Sequence, residues 1–558
     1  MRETTSFIRR RGPGTVFCCI VFVFLGLLSA CETTQKHLLQ EEAQVHHLVI
    51  LHTNDTHGHP LKFFNGSAPD VGGLPARATL VREIKRTNRN VLLLDGGDLN
   101  TGKAESNLHK ARPDIEGYNA IGYDAMVLGN HEFDNPPDVL KAQMAMARFP
   151  FLSANIKTKG GQNLAQPYVF KEFPGFKVAI LGLTTRETQM LANPEHIKDL
   201  IFEDEVEIAK ELVPKLKQEA DVVIALAHTG IYESSERGSR RLASEVSDID
   251  IIVDGHTHTR LDFPILVEHP SSDHRTLIVQ AWKWGLIVGR LDLWIKNREV
   301  VDFRYEIIPV NLKTVEKKED GARAYHFIGE SIAEDQALLS LLQPYADQIE
   351  SLLSDVIGYA EVPFLNHDSR QAETALGNLI ADSMKWHTEN QAVDFAIQNG
   401  GGIRDHIPKG PITKKTIYEV LPFDNSIALL SMKGSDVQRL FDFIATIPSG
   451  DGAFPQVSEG VTFTINRSAR RCENVLIKGK PIDINRIYRI ATNSYLANGG
   501  DGYQVFLKAL EKYDSATFQQ RVLIEHIKNI GGRIKPKAER RITILSDKLS
   551  YTLMRLAA

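Results

Sequence analysis

The chain has 558 residues, of which 42% are hydrophobic, and a formal net charge of -5. This length and apolar content suffice to bury at least two hydrophobic cores. Because the charge gives no global basic field, the composition argues against a nucleic-acid polymer as partner, and nothing in the sequence indicates an obligate protein partner.

The first 45 residues have the pattern of a processing and anchoring signal. Three arginines at positions 9–11 precede an apolar stretch at 16–28 that is too short to span a bilayer as a helix. The stretch ends in Leu28-Ser29-Ala30-Cys31, which resembles the lipobox of bacterial lipoproteins. We therefore expect a lipoprotein signal peptide at 1–30, lipid on Cys31 and a polar tether at 31–45. The protein would then be exported, periplasmic or on the cell surface, and lipid-anchored to a bacterial membrane. The alternatives are an ordinary signal peptide and a short anchor helix.

Five apolar runs follow, and each ends in residues of metal-binding type. Short runs rich in leucine and β-branched residues, bounded by Gly, Asn and Asp, predict buried strands. Open α/β sheets gather their ligand groups beyond the carboxyl ends of such strands. The runs read LVILHTNDTH, VLLLDGGD, MVLGNHEFD, VVIALAHTG and IDIIVDGHTH, and they supply Asp55, His57, Asp98, Asn130, His228, His256 and His258.

These residue types indicate a centre with two metal ions. Carboxylate, imidazole and amide ligands without thiolate favour divalent ions such as Mn, Zn, Co, Fe or Mg. If Asp98 bridges, one ion has Asp55, His57, Asp98 and His258, and the other has Asp98, Asn130, His228 and His256. Two ions ~4 Å apart clamp a phosphoryl group. Each motif alone has another interpretation: a turn for D-x-H, a polar loop for GHTH, and for GNHE a helix start that Asn130 caps.

His131 and Asp134 are the candidate acid-base pair. His131 directly follows a predicted ligand, so its ring can reach the phosphoryl group without coordinating a metal. Asp134 can accept the other ring N–H and fix the tautomer. The competing interpretation is that Asp134 caps a helix before Pro136 and Pro137.

The periodicity predicts helices at 73–88 and 204–219, each between two ligand-bearing strands. A charged stretch at 315–323 predicts a linker, and 333–353 predicts a connecting helix disturbed by Pro344. A second domain is expected to start near residue 357.

The motifs TNDTHGH, GGDLNTG, GNHEFDN and GHTH resemble those of the calcineurin-like metallophosphoesterases, specifically their 5'-nucleotidase branch. NGGGIRDHIPKGPIT, LPFDN and NGGDGY resemble the C-terminal substrate domain of that branch. The resemblance implies an α/β (α+β) fold with three parts. These are a two-sheet βαβ metallophosphoesterase sandwich at 46–315, a linker with a helix at 316–356, and a second α/β substrate-binding domain at 357–545.

The same resemblance implies hydrolysis of nucleoside 5'-phosphates to nucleoside and phosphate by a water that the two ions activate. Phe423 and Tyr495 match the rings that sandwich the base, and well-known members carry Phe at the second position. The other positions that match substrate contacts are Arg370, Arg404, Asn399, Asn425 and Asp501. From the residues alone, the rings would be core residues and the arginines solvated charges.

Other functions stay open at this point. Among enzymes, these are a UDP-sugar hydrolase, a 2',3'-cyclic nucleotide phosphodiesterase and a thiosulfohydrolase, the last disfavoured by the aromatic pair. The alternative without catalysis is a surface lipoprotein that binds nucleotides, which the complete ligand set and the His131 and Asp134 pair disfavour.

Overall fold

A computed structural model describes residues 44–545 except 66–67, 233–235, 273, 318–322 and 538. The predicted signal peptide, Cys31 and most of the predicted tether lie outside the described residues. Within the described part of the chain, no helix combines the length and apolarity needed to cross a bilayer.

The first half alternates strands with helices. Its strands are β1 (His46–Thr53), β2 (Val91–Asp95), β3 (Ala125–Val127), β4 (Phe151–Leu152), β5 (Ile156–Thr158), β6 (Tyr168–Phe173), β7 (Phe176–Thr184), β8 (Leu200–Phe202), β9 (Val222–His228), β10 (Ile251–Val253), β11 (Ile265–Glu268), β12 (Arg275–Val279), β13 (Ile287–Lys296) and β14 (Glu299–Pro309). Its helices are α1 (Leu74–Thr87), α2 (Ala104–Asn107), α3 (Arg112–Ile121), α4 (Pro137–Met146), α5 (Thr188–Leu191), α6 (Pro194–Ile197), α7 (Glu205–Glu219) and α8 (Gly238–Glu245).

These strands form two six-stranded sheets, β14-β13-β1-β2-β3-β4 and β11-β12-β10-β9-β7-β6. Leu48 and Ile50 of β1 face the second sheet, in the same core as Ile224 of β9. The alternate residues Val49 and Leu51 pack under the outer helices, because successive side chains of a strand point to opposite faces. The predicted two-sheet sandwich flanked by helices is confirmed.

The five predicted strands β1, β2, β3, β9 and β10 are all present. β1, β2 and β3 pair in parallel in one sheet, and β9 and β10 pair in parallel in the other. Their carboxyl ends therefore meet at one edge of the sandwich. The predicted helices at 73–88 and 204–219 correspond to α1 and α7, and Asp204 caps α7 through its carboxylate.

The connection between the halves contains more structure than the sequence predicted. The ends of the charged stretch pair as an antiparallel hairpin of β15 (Lys313–Lys317) and β16 (Arg323–Phe327). The connecting helix α9 (Gln336–Leu353) contains Pro344 and begins after Asp335, whose side chain caps it. Leu338 and Leu342 of α9 pack into the core of the first half.

The second half contains three smaller sheets, β19-β17-β27, β21-β18-β25-β20-β26 and β24-β23-β22-β28. Its strands are β17 (Val356–Ala360), β18 (Phe395–Asn399), β19 (Gly410–Thr413), β20 (Ser426–Lys433), β21 (Pro455–Val457), β22 (Val461–Asn466), β23 (Arg471–Ile477), β24 (Lys480–Pro481), β25 (Ile487–Asn493), β26 (Glu511–Phe518), β27 (Arg533–Ile534) and β28 (Ile542–Leu545). Its helices are α10 (Ala375–His387), α11 (Lys414–Val420), α12 (Gly434–Ile444), α13 (Ser494–Ala497) and α14 (Gln519–Asn529).

The two halves meet across the edge where the ligand-bearing strands end. Lys103 of the first half donates to Asp405 at 2.8 Å and lies 3.5 Å from Glu419. Arg404 extends from the second half to within 3.4 Å of His57 Nε2. The predicted metal ligands therefore lie at the interface between the halves.

Candidate metal centre and active site

Six of the seven predicted ligands lie in the segments directly after their strands, and His228 is the last residue of β9. Five of the seven adopt left-handed backbone conformations that L-residues rarely take, each costing about 1–3 kcal/mol. Strain of this kind clusters at ligand sites. These residues are Asp55 (φ 50°), His57 (44°), Asp98 (58°), His256 (78°) and His258 (51°).

The side chains of Asp55, His57 and His258 converge on one point. Their ligand atoms all lie within 4.8 Å of one another. His258 Nε2 is 3.4 Å from Asp55 Oδ1 and 3.0 Å from His57 Nε2. Two ring nitrogens this close need a proton or a cation between them, because facing lone pairs repel.

A second cluster of Asp98, His228 and His256 lies beside the first, also with ligand atoms within 4.8 Å. Asn130 Oδ1 joins this cluster, at 2.8 Å from His256 Nδ1 and 3.2 Å from His228 Nε2. Asp98 Oδ2 lies between the clusters, at 3.2 Å from His228 Nε2 and 3.9 Å from His57 Nε2. Among the described residues, Asp98 is thus the carboxylate that lies close enough to both clusters to bind an ion in each.

Backbone contacts orient the imidazoles toward these points. His57 and His228 each donate Nδ1–H to a carbonyl, of Asn100 at 2.8 Å and of Gly96 at 2.6 Å. In the neutral rings, the Nε2 lone pairs therefore face Asp98, and a second partner that fixes the tautomer is typical of metal-binding histidines. The donor set thus fits two divalent ions.

His131 and Asp134 form the predicted contact, since His131 Nδ1 lies 2.8 Å from Asp134 Oδ2. Thr101 donates to the same carboxylate oxygen at 2.7 Å. Burial opposes protonation of His131, but the nearby Asp134 and Asp98 raise its pKa above the usual range. Its ring also lies near His57 and Asp98, so Nε2 faces the space between the two clusters and the cleft.

Neither helix-capping alternative is found. His131–Phe133 forms a single 3-10 turn without a side-chain cap from Asn130, whose oxygen instead contacts the two histidines. α4 begins at Pro137 with Pro136 at its N-cap and has no side-chain cap. The Asp134 carboxylate contacts His131 and Thr101 instead.

A cleft of about 620 Å³ opens from the second cluster. All seven predicted substrate contacts line it, together with His131, Asp134 and four of the predicted ligands. Asp55 and His228 lie behind its wall and are fully buried. The predicted substrate contacts are Arg370, Asn399, Arg404, Phe423, Asn425, Tyr495 and Asp501.

The two predicted stacking rings differ in their surroundings. Phe423 lies in a stacked orientation 5.9 Å from the ring of His131, and the Arg404 guanidinium carbon is 5.7 Å from the centroid of Phe423. The Tyr495 hydroxyl is within 2.7 Å of Asp501 Oδ1. Asp501 also accepts from Asn399 at 2.8 Å, so these polar groups form one connected wall.

Two arginines and a lysine lie close together beside the predicted metal ligands. Burial, followed by the neighbouring Arg370, lowers the pKa of Arg404 to about 10. Lys283 lines an adjoining cavity and not the cleft, and burial lowers its pKa to about 8, with Arg404 and Arg370 adding to the effect. Cationic side chains grouped in this way favour an anion beside the ligand clusters.

Sequence reasoning missed several residues that shape the centre. The buried Glu132 accepts the backbone N–H groups of Asp98, Leu99, Asn100 and Gly129, which fixes the loop that carries Asp98. Its only local signal was its place in the motif GNHE. Asn54 donates to Asp55 Oδ2 at 2.6 Å, and its place before Asp55 in TNDTH could have indicated this. Lys283 has no sequence signal.

Comparison with known families agrees with both halves. Residues 48–260 match the calcineurin-like phosphoesterase family. Residues 356–508 match the family described as 5'-nucleotidase, C-terminal domain.

Individual relatives extend over most of the chain. A 5'-nucleotidase of Vibrio vulnificus is 39% identical over 86% of this chain and 89% of its own length. Protein UshA of Escherichia coli K12 is 36% identical over 84% of this chain and 88% of its own length. The crystal structure of a 5'-nucleotidase precursor from Thermus thermophilus superposes with a TM-score of 0.80 at 30% identity, covering 90% of this chain and all of that one. The chain therefore belongs to the 5'-nucleotidase family of metal-dependent phosphoesterases.

Proposed function

We propose that the protein hydrolyses nucleoside 5'-phosphates to nucleoside and inorganic phosphate. The observation that carries this proposal is the single cleft that joins the two ligand clusters to an aromatic pair and two half-buried arginines. A phosphoryl group at the clusters leaves the rest of a nucleotide within reach of the residues from the second half. The relatives named 5'-nucleotidase support the same substrate class.

In this proposal the metal ligands keep the two sets expected from the sequence. One set is Asp55, His57, Asp98 and His258, and the other is Asp98, Asn130, His228 and His256. Support comes from the position of Asp98 Oδ2 between the clusters. When bound, two divalent ions supply a nucleophilic water at neutral pH and positive charge for the phosphoryl oxygens.

The remaining roles in the proposed reaction belong to the protein's own side chains. Asp134, held by Thr101, orients His131 so that Nε2 can contact a phosphoryl oxygen or protonate the leaving 5'-oxygen. Arg404 and Arg370 contribute fixed positive charge where the reacting phosphoryl group gains negative charge. Both arginines are already half-buried, so this charge needs less reorganisation when substrate binds.

We assign recognition of the base and sugar to the second half of the chain. Phe423 and Tyr495 stack on the base, a contact worth ~1–3 kcal/mol per ring, while Asn399, Asn425 and Asp501 contact base and sugar. The two rings line the same cleft, as a pair that stacks on one base requires. The domain limits that accompany this assignment are 46–315 and 357–545, with 316–356 as the linker.

The direct test is phosphate release from a panel of substrates with Mn, Zn, Co and Mg supplied in turn. The panel contains nucleoside mono-, di- and triphosphates, a 2',3'-cyclic nucleotide and a UDP-sugar. We expect turnover of nucleoside 5'-monophosphates that a chelator abolishes. Turnover of the cyclic nucleotide alone would overturn the proposal, and so would nucleotide binding without hydrolysis.

The N-terminal part of the proposal concerns location. The Leu28-Ser29-Ala30-Cys31 sequence supports cleavage before Cys31, lipid attachment to that residue and anchoring of an exported enzyme to a bacterial membrane. Metabolic fatty-acid labelling should mark the unaltered protein and not Cys31→Ala, whose catalysis should be unchanged. An unlabelled wild-type protein would replace the lipoprotein signal with an ordinary signal peptide.

A further inference from the structure

The imidazoles assigned to the metal ions differ in what their second ring nitrogen faces. His57 and His228 turn Nδ1 toward backbone carbonyls, contacts that do not depend on another side chain. His256 is turned the other way, with Nδ1 at 2.8 Å from Asn130 Oδ1, so its Nε2 points away from the cluster. Glu187 Oε2 lies 3.8 Å from that Nε2. Glu187 therefore places a carboxylate behind one of the predicted metal-binding imidazoles.

Main-chain contacts fix the segment that carries Glu187 relative to the same cluster. Thr185 donates its N–H to the carbonyl of His228 at 2.9 Å, and Thr188 Oγ1 donates to the carbonyl of Thr185 at 2.7 Å. Both threonines are buried. Glu187 lies between them, directly before α5. Its position thus follows that of β9, the strand that ends at His228.

Two further side chains hold the Glu187 carboxylate. Tyr232 donates its hydroxyl to Glu187 Oε2 at 3.4 Å, and Arg237 Nη2 lies 3.6 Å from Glu187 Oε1. The guanidinium carbon of Arg237 also lies 3.6 Å from the centroid of the Tyr232 ring, so these two side chains support each other. The Glu187 side chain is 34% exposed, and removing its charge therefore does not disturb a hydrophobic core.

The contacts of Glu187 argue against the two simpler roles for a carboxylate at this place. Glu187 lines the cleft, but a carboxylate repels a phosphoryl group instead of binding it. Among the described residues, the groups whose ligand atoms converge within 4.8 Å do not include Glu187, so it is not placed as a metal ligand. A role that acts through His256 is what its position supports.

We propose that Glu187 is a positioning residue that sets the affinity of the ion bound by His256. The inference rests on the proposed function, which assigns His256 to the second set of ligands. When Nδ1 of an imidazole binds a cation, the ring proton is on Nε2 and is attracted more strongly to a facing carboxylate. The carboxylate fixes the orientation of the ring and makes Nδ1 a stronger donor to the ion. Loss of such a partner typically lowers metal affinity by about 10- to 100-fold.

The test measures binding of Zn²⁺ to the metal-free full chain in competition with a chromophoric chelator, which gives a dissociation constant for each ion. Glu187→Gln keeps the size of the side chain and removes its charge. It should weaken one ion by about 10- to 100-fold and the other by less than about threefold. Glu187→Asp keeps the carboxylate and should recover part of the loss. The Tm of the metal-free Glu187→Gln variant should equal that of metal-free wild type, since the proposed role requires the ion.

Two backgrounds show which ion Glu187 serves. His258→Ala leaves complete only the ligand set that contains His256, and adding Glu187→Gln should still weaken binding in this background. His228→Ala leaves complete only the set that contains His258, and adding Glu187→Gln should have no effect there.

Glu195 offers a matched control, because it is an exposed carboxylate on α6 that pairs with Lys198 at 3.4 Å. Glu195→Gln should change neither dissociation constant. Equal weakening of both ions by Glu187→Gln, unchanged binding of both, or a loss confined to the His228→Ala background would overturn the inference. If wild type hydrolyses no nucleotide but Glu187→Gln weakens only the ion of the His256 set, the proposed function fails and the positioning role stands.

Discussion

The hydroxyl of Tyr495 lies 2.7 Å from the carbonyl oxygen of Leu191, and this contact joins the second half of the chain to the first. The same hydroxyl is 2.7 Å from Asp501 Oδ1 and accepts the Asp501 N–H at 3.0 Å. Because a hydroxyl has one proton to donate, its bonds to Leu191 and Asp501 compete. Tyr495 thus connects the proposed base site with the relative position of the halves.

Tyr495→Phe keeps the ring and removes the hydroxyl, so it separates these two roles. We expect KM for AMP to rise about 2- to 12-fold, the range for losing one neutral hydrogen bond, with little change in kcat. Steady-state kinetics measures this, and small-angle scattering should report a more open average shape. Unchanged KM and scattering would mean that the relative position of the two halves does not depend on this bond.

Asp98→Ala should remove both metal ions and abolish phosphate release, since Asp98 is the one residue assigned to both sets. Elemental analysis of the purified variant measures the metal content directly. Retention of two ions per chain with normal activity would contradict the bridging assignment. Loss of one ion only would assign Asp98 to a single set.

His131→Asn should leave the metal content intact and lower kcat by ~10²- to 10⁴-fold, the range for losing a positioned acid-base group. The reason is that Asp134 holds Nδ1 of His131, which leaves only Nε2 to face the reacting group. Elemental analysis and kinetics are done on the same preparation. Loss of metal would instead make His131 a ligand, as its proximity to His57 and Asp98 would allow.

The strand ends that carry the candidate ligands were predictable because the signal is local. An apolar run that stops at Gly, Asn or Asp specifies both a strand and its end, and parallel pairing brings such ends together. The hairpin of β15 and β16 was not predictable in this way. Its strands, KTVEK and RAYHF, combine charged and apolar residues, so the local pattern indicated only a polar linker.

Contacts between distant segments were also beyond the sequence. Lys283 lies in the stretch QAWKWG, where no pattern marks it, and only the fold brings it beside Arg370 and Arg404. The role of Glu132 could not be predicted for the same reason, because its four backbone donors come from loops that only the tertiary structure assembles. The sequence also could not show that the connecting helix begins at Gln336, because several polar residues before it are possible N-caps.

Asp114 provides a pH-dependent prediction away from the metal centre. Burial raises the pKa of its carboxyl to about 7, above the ordinary value near 3.9. The folded protein then binds more protons than the unfolded chain between these values, so the stability contribution falls as pH rises from about 4 to about 7. The full effect is at most about 4 kcal/mol, from three pKa units at 1.36 kcal/mol each.

Asp114→Asn mimics the protonated carboxyl at every pH and should remove this part of the pH dependence. We expect the Tm of the variant to exceed that of wild type at pH 8 and to match it more closely at pH 5. Thermal unfolding at both pH values measures the difference, and the comparison cancels other titrating groups. If the variant is less stable than wild type at both pH values, the folded protein favours the ionised form of the Asp114 carboxyl.

Phe423→Ala should distinguish a nucleotidase from a general phosphatase. The change removes a stacking surface that a nucleotide can use and that a small aryl phosphate such as p-nitrophenyl phosphate needs much less, while no predicted metal ligand is altered. The kcat/KM for AMP should therefore fall by ~1–3 kcal/mol, about 5- to 150-fold, and that for the aryl phosphate much less. Equal losses on both substrates would show that the ring supports His131, 5.9 Å away, instead of the base. Tyr495→Ala tests the opposite wall in the same way, and selectivity lost in both variants would assign base recognition to the pair.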